Sequence, residues 1–205
     1  MKKPNFSNRH NEETLTQDGR RIWLSRACAV VAHVALYEVE SGQWFILLGK
    51  RGESTPDFQG YWGLPCGYLD WDESLVQAML REVWEECGLY LPSLSEAEQF
   101  VWSQNSCVLQ QENIQETPWA IADVPRSQKQ NVSMHYAVLF SWRGQPLPEL
   151  SDAYAEPGEV AGIEWVSIEK AMEMDLAFHH GKRIQMLWQD HSDAFLQVEQ
   201  ASKRR

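Results

Sequence analysis

The chain has 205 residues, 43% of them hydrophobic and ten of them tryptophan, which is enough to bury one sizeable core and excludes a linker or a disordered protein. Its formal net charge of −11, from 29 acidic against 18 basic residues, opposes nucleic-acid binding, which depends on lysine and arginine meeting phosphates. The run from Ala27 to Tyr37 is broken by His33 and too short to span a membrane, and Met1-Lys2-Lys3 leads into polar sequence rather than a secretory core; a cytoplasmic protein with reduced cysteines is expected.

Residues 1–20 are polar and aperiodic and read as an N-terminal extension, residues 21–200 as one domain, and residues 201–205 as a basic tail. Ile22 to Glu40 reads as one or two strands, Ser41-Gly42 as a turn, and Trp44 to Leu48 as a strand returning in a hairpin. Gly52 to Pro65 is a loop, and an amphipathic helix follows near Leu75 to Cys87. Leu91 to Leu94 is a loop, Phe100 to Gln110 a strand, and Gln111 to Gln130 a polar excursion. Val132 to Trp142 alternates strongly and predicts a strand, with His135 turned away from its apolar side toward a cleft or solvent. A short strand over Val160 to Val166 and helices over Ile168 to Met174 and Lys182 to Gln200 complete the chain.

The central helix carries the chemistry. Asp70 and Glu73 form an acidic capping arrangement at its start, and Gly88 suits its left-handed stop. Leu75, Val76, Met79, Leu80, Val83 and Cys87 make an apolar stripe, which leaves Glu82, Glu85 and Glu86 together on or beside the polar face. Arg81 precedes Glu85 by four residues and can hold a carboxylate by a forked hydrogen bond. Clustered carboxylates repel one another unless a cation intervenes, and an all-oxygen donor set suits magnesium or manganese.

Gly67, Glu73, Arg81, Glu82, Val83, Glu85, Glu86, Gly88 and Leu89 stand at the spacing G-x5-E-x7-R-E-U-x-E-E-x-G-U, with U aliphatic. This is the Nudix box, and the chain resembles the Nudix hydrolases over roughly residues 25 to 175. The resemblance implies an α/β (α+β) fold, a mixed β-sheet sandwiched between α-helices. It implies a metal-dependent pyrophosphohydrolase that uses Mg2+ or Mn2+ on a nucleoside diphosphate linked to another moiety. Catalytic roles fall to Glu73, Arg81, Glu82, Glu85 and Glu86, and metal ligation to Gly67, Glu82, Glu85, Glu86 and, from a later loop, Glu159. Arg51, Trp62, His135 and His180 are candidates for substrate binding, with Tyr61, Trp102 and Trp119 as further stacking candidates. The expected partner is a small nucleotide derivative, without nucleic acid or membrane, and a homodimer is left open. The segment from Leu47 to Gly67 follows the coenzyme A pattern in register but departs from it at Gly52 and Pro56, so no substrate is named. The alternative is a non-catalytic sensor of nucleotide derivatives. About 30 residues follow the last expected strand and short helix, fewer than a winged-helix DNA-binding domain needs, and this makes the sensor the secondary expectation.

Overall fold

The computed structural model describes residues 12–24, 27–71, 73–91, 100–102, 107–108, 117–123, 131–143 and 145–203. Most of the expected loop over Leu91 to Leu94, much of the polar excursion and the last two residues of the tail lie outside the described residues.

A mixed sheet organises the molecule. Two twelve-residue strands, β3 (Ala27–Glu38) and β10 (Asn131–Trp142), run parallel at its centre, with Ala27 opposite Asn131 and Glu38 opposite Trp142. Strand β4 (Gln43–Arg51) returns antiparallel to β3 through the turn at Gly42, and β11 (Val160–Ser167) pairs outside β4. On the other side β10 pairs antiparallel with β7 (Phe100–Trp102) and β9 (Ala120–Asp123), and β7 with β8 (Cys107–Val108). Two short strands, β5 (Trp62–Gly63) inside the expected loop and β6 (Cys66–Tyr68) just after it, pair with β4 and β3.

The central strands are buried on both faces, which a period-two pattern does not show. Val30, Ala32, Val34 and Leu36 point into a core shared with Val76, Met79, Val83 and Cys87 of α1 (Leu75–Cys87). The alternate residues Val31, Ala35 and Tyr37 face a second core closed by three helices. These are α2 (Ile168–Glu173), α3 (His180–Asp190, entered through the 3-10 turn Ala177–His179) and α4 (Ser192–Lys203). Trp44 fastens α4 to the sheet by packing on Phe195 at 4.7 Å and donating from Nε1 to Glu199 at 2.9 Å. Each fully buried aliphatic side chain contributes about 1.5–3 kcal/mol, so two such layers stabilise the sheet from both sides.

Four local expectations are corrected. Glu12–Leu15 is a strand, β1, which forms a separate two-stranded sheet with β2 (Arg21–Leu24). The cap of α1 is Ser74, not Asp70: Ser74 Oγ accepts from Gln77 N at 3.3 Å, and Gln77 Oε1 accepts from Ser74 N at 2.7 Å. The long C-terminal helix is two, broken at His191 with φ −122° and ψ 28°. His135 faces neither cleft nor solvent but is 2% exposed, because the second helical layer covers its side of β10.

Candidate active site

Helix α1 stops where the sequence predicts. Gly88 takes φ 67° and donates its N–H to Trp84 O at 2.8 Å, and Ser151 N seals the next open carbonyl, that of Cys87, at 2.9 Å. The loop after β10 is therefore tied to the C-terminal end of the acidic helix.

Arg81 is the hub. Its Nε and one terminal nitrogen grip Glu73 in a fork at 3.0 and 2.8 Å, and that same terminal nitrogen donates to Tyr68 O at 2.9 Å. The other terminal nitrogen bridges Glu82 Oε1 at 2.7 Å and Glu85 Oε2 at 3.0 Å. One guanidinium thus fixes two helix carboxylates to the strand and loop that precede the helix. The hydrogen bonds from Arg81 hold the Glu73 carboxyl below its ordinary range. Glu73 turns back to accept from Asp70 N at 2.8 Å, so the acidic pair closes the loop rather than capping the helix.

The three glutamates do not share one environment. Glu85 is half-exposed, whereas Glu82 and Glu86 are buried, a departure from the polar-face expectation. They are buried because β6 crosses their side of the helix. A Cβ on Gly67 would stand 2.2 Å from Glu82 Oε1, and Cys66 N donates to Glu86 Oε2 at 3.1 Å. Burial, with repulsion from Glu85 and Glu159, pushes the Glu82 carboxyl up to about 7 despite Arg81. Burial and then Glu82 drive Glu86 well above the usual carboxylate range. Burial also raises the Cys66 thiol, with Glu86 adding to the effect, so Cys66 is a poor nucleophile here.

Glu159 reaches this group from the loop before β11. Gly52 N donates to Glu159 O at 2.6 Å and Ser54 N to Gly158 O at 3.0 Å, while Glu159 Oε2 accepts from Glu156 N at 3.2 Å. The two loops touch so closely that a Cβ on Gly52 would lie 2.0 Å from Gly158 O. Further back in the same loop, Tyr154 stacks on Trp84 of α1 with centroids 4.4 Å apart and planes 21° apart. The sequence reading missed this contact. Its local signal was an aromatic residue among the charges of the box helix, but nothing in the chain specified the partner.

The donor set fits a hard divalent cation. Its oxygens belong to Glu82, Glu85, Glu86, Glu159 and the Gly67 backbone, the glycine leaves room beside Glu82, and burial first, then neighbouring carboxylates, raises two of the acids toward protonation. Among the described residues no three His, Cys, Asp or Glu side chains converge in metal-centre geometry. Arg81 accounts for this locally, since one nitrogen holds Glu82 and Glu85.

The substrate-binding candidates separate into two groups. Arg51 donates from Nε to Asp57 O at 2.8 Å, and its charge bears on Cys66 and Glu86. Trp62 is half-buried against the second core and near Gly162. His135 and His180 are interior: His180 is 3% exposed and its Nδ1 accepts from Leu64 N at 3.0 Å, and His135 Nδ1 lies 3.0 Å from His33 Nε2. Burial first, and neighbouring positive groups after it, lower His180 to about 3 and His135 to about 4. Both rings pack the layer beneath the site. Trp119 joins them edge-on to His33 at 5.2 Å, and the Trp102 side chain lies outside the described residues. An open recess of about 530 Å³ between Gly88 and Glu149 is lined by none of the acidic site residues.

The NUDIX domain family model matches residues 28–188, most of the chain. The chain belongs to the NUDIX family. Among curated relatives, this NUDIX chain is 26% identical over 165 residues to the m7GpppN-mRNA hydrolase NUDT17 of Homo sapiens, covering 78% of the chain and 45% of that protein. It is 25% identical over 155 residues to the ADPR responsive transcriptional repressor NtrR of Acinetobacter baylyi, covering 74% of the chain and 50% of that protein. The chain therefore spans about half the length of these two relatives. Among solved structures, the NUDIX domain of Shewanella oneidensis NrtR complexed with ADP ribose has a TM-score of 0.57 at 22% identity, over 82% of this chain and 89% of that one. A MutT/nudix family protein from Enterococcus faecalis has a TM-score of 0.61 at 19% identity, over 86% and 68%. At such identities the structural likeness shows the Nudix fold, an α+β arrangement of mixed sheet and helices. No helix among the described residues is long and apolar enough to cross a membrane.

Proposed function

We propose that this NUDIX chain is a divalent-cation-dependent hydrolase that cleaves the pyrophosphate linkage of a nucleoside diphosphate derivative. The observation that carries the reading is the pair of buried acids, Glu82 and Glu86, held against the glycine backbone of β6 and locked through Arg81 to Glu73 and Glu85. A stable protein has little reason to bury two adjacent carboxylates that repel each other. A site that must present them to a cation has one.

In this reading Glu82, Glu85, Glu86, Glu159 and the Gly67 carbonyl would hold Mg2+ or Mn2+, which would supply positive charge to phosphoryl oxygens and make water more acidic. Arg81 and Glu73 are positioning residues that fix the helix to its preceding loop. Arg51, whose guanidinium is fixed by Asp57 O and whose charge bears on Glu86, supplies positive charge for a phosphate oxygen. The net charge of −11 disfavours long nucleic acid, so the proposed substrate is a small nucleotide derivative in the cytoplasm.

A second reading, a sensor that binds such a ligand without turnover, is favoured by the similarity to an ADPR responsive repressor. One experiment separates the two: incubation with Mg2+ or Mn2+ and a panel of ADP-ribose, NADH, nucleotide sugars, dinucleoside polyphosphates and a capped dinucleotide. Turnover of one compound that falls by orders of magnitude in Glu82→Gln and Glu86→Gln supports the hydrolase. Near-normal turnover in either folded variant overturns the site, and binding without turnover in both metals favours the sensor.

A further inference from the structure

Three non-glycine residues among those described hold a left-handed backbone: Phe58 (φ 53°), Phe178 (φ 54°) and His179 (φ 60°). This conformation costs an L-residue on the order of 1 kcal/mol or more and persists only where the surroundings impose it. Two of the three meet in space. The rings of Phe58 and Phe178 stand edge to face with centroids 4.7 Å apart, and Tyr61 meets Phe58 edge-on at 5.7 Å.

Neither the turn nor the core explains the choice of residue. Phe58 lies in a turn closed by Tyr61 N donating to Phe58 O at 3.0 Å, and glycine or asparagine would take its φ without strain. Phe58, Tyr61 and Phe178 belong to neither core cluster. Strained backbone in two chain segments, far apart in sequence, brings aromatic rings together outside the core.

Arg51 connects this group to the carboxylates. Its Cζ lies over the Phe178 ring at 4.9 Å, and its Nε donates to Asp57 O at 2.8 Å, which fixes the guanidinium from the Phe58 loop. The charge of the same guanidinium bears on Glu86 and Cys66. Aromatic surface, then a fixed cation, then the acid cluster is the order in which a nucleotide presents its base, its inner phosphate and its scissile linkage.

We propose that Phe58, Tyr61 and Phe178, with Arg51, form a subsite that takes the nucleobase of the substrate, the strained turns serving to aim the rings. This rests on the reading of the carboxylates as the phosphate-processing group. The test measures binding of AMP and of ribose 5-phosphate, which share a phosphate and differ in the base, by calorimetry with Mg2+ present. The wild type is expected to prefer AMP by roughly tenfold or more, the usual scale of a base–aromatic contact. Phe58→Gly relieves the turn and removes the ring, so it should keep or raise Tm while losing most of that preference. Phe58→Leu should lose the preference without the gain in Tm. No preference for AMP in the wild type, including failure to bind either probe, overturns the subsite. So does a Phe58→Gly protein that melts lower and keeps the preference, because Phe58 is then packing alone. Preference for AMP without hydrolysis of any compound in the panel retains the subsite and sinks the hydrolase reading; hydrolysis without a base preference does the reverse.

Discussion

Gly67→Ala places one methyl group where the geometry leaves least room. The new Cβ would lie 2.2 Å from Glu82 Oε1, 2.3 Å from its carboxyl carbon and 2.5 Å from Oε2. Ordinary contact requires well over 3 Å, so the carboxylate must retreat by about 1 Å, and a displacement of that size in a reacting group costs on the order of 10²-fold in rate. The retreat also strains the 2.7 Å bond from Arg81. Stability should change little. Gly67 is not among the positive-φ glycines, and the atoms it meets are the far end of a flexible side chain. Loss of backbone freedom in the unfolded chain favours alanine by about 0.5–1 kcal/mol, close to the cost of weakening one hydrogen bond. The assay is turnover of the best compound in the panel together with Mn2+ binding by electron paramagnetic resonance, on protein whose Tm matches the wild type. Turnover falling about a hundredfold with weakened Mn2+ binding is expected. A folded Gly67→Ala protein within threefold of wild-type turnover would refute the role of Glu82 in holding the cation.

Three further outcomes are expected. Glu86→Gln, in chelator at pH 8, should raise Tm by about 2–4 °C per kcal/mol of relieved burial cost, because the amide can still accept from Cys66 N and has no proton to hold in the folded state; a lower Tm contradicts the reading of Glu86 as a strained acid. Tyr154→Ala removes a stack worth about 0.5–1.5 kcal/mol and should raise the Mg2+ concentration needed for half-maximal turnover severalfold, with Tyr154→Phe restoring it; an unchanged Mg2+ requirement would show that the stack does not position the loop that bears Glu159. Acid stability should depend on the buried histidines. His135 and His180 titrate near 4 and 3 when folded and near 6.5 when unfolded. Their contribution is therefore complete above pH 6.5 and is lost as pH falls toward 4, at up to about 1.4 kcal/mol per unit for each. The raised Glu82 acts in the opposite sense between about pH 4.5 and 7, and Glu86 in the same direction as Glu82 from about pH 4.5 upward, since the folded state keeps protons that the unfolded carboxylates release. His135→Gln should flatten the fall in urea midpoint between pH 7 and 5, and an unchanged slope would sink the assignment.

Much of this molecule was legible in the chain because its strongest signals are local. The stripe of Val76, Met79, Val83 and Cys87 and the stop at Gly88 lie within one helix, and the structure uses them as the spacing predicts. Burial is different. Whether Glu82 faces water depends on Gly67 arriving on a strand that crosses the helix, and helical spacing carries no record of that crossing. His135 was misread for the same reason: alternation describes a half-covered sheet, and here helices cover both faces. The stack of Tyr154 on Trp84 and the contact of Gly52 with Gly158 join segments remote in sequence, and no pattern within either segment specifies its partner.

The central parallel pair has a consequence for how the molecule comes together. β3 and β10 are the longest strands and neighbours in the sheet, yet about a hundred residues separate them in the chain. Joining them costs about 4 kcal/mol in the length-dependent part of loop closure, before the first ladder bond forms. The β3–β4 hairpin and the box helix need no such closure and can form early. The two-sided core exists only after β10 docks, so assembly has one slow, committing step, whereas β6 and the box helix, which together hold Glu82 and Glu86, are neighbours in the chain. The acids and the strand that buries them thus come from one stretch of chain, while the core that stabilises the fold depends on a contact across about a hundred residues.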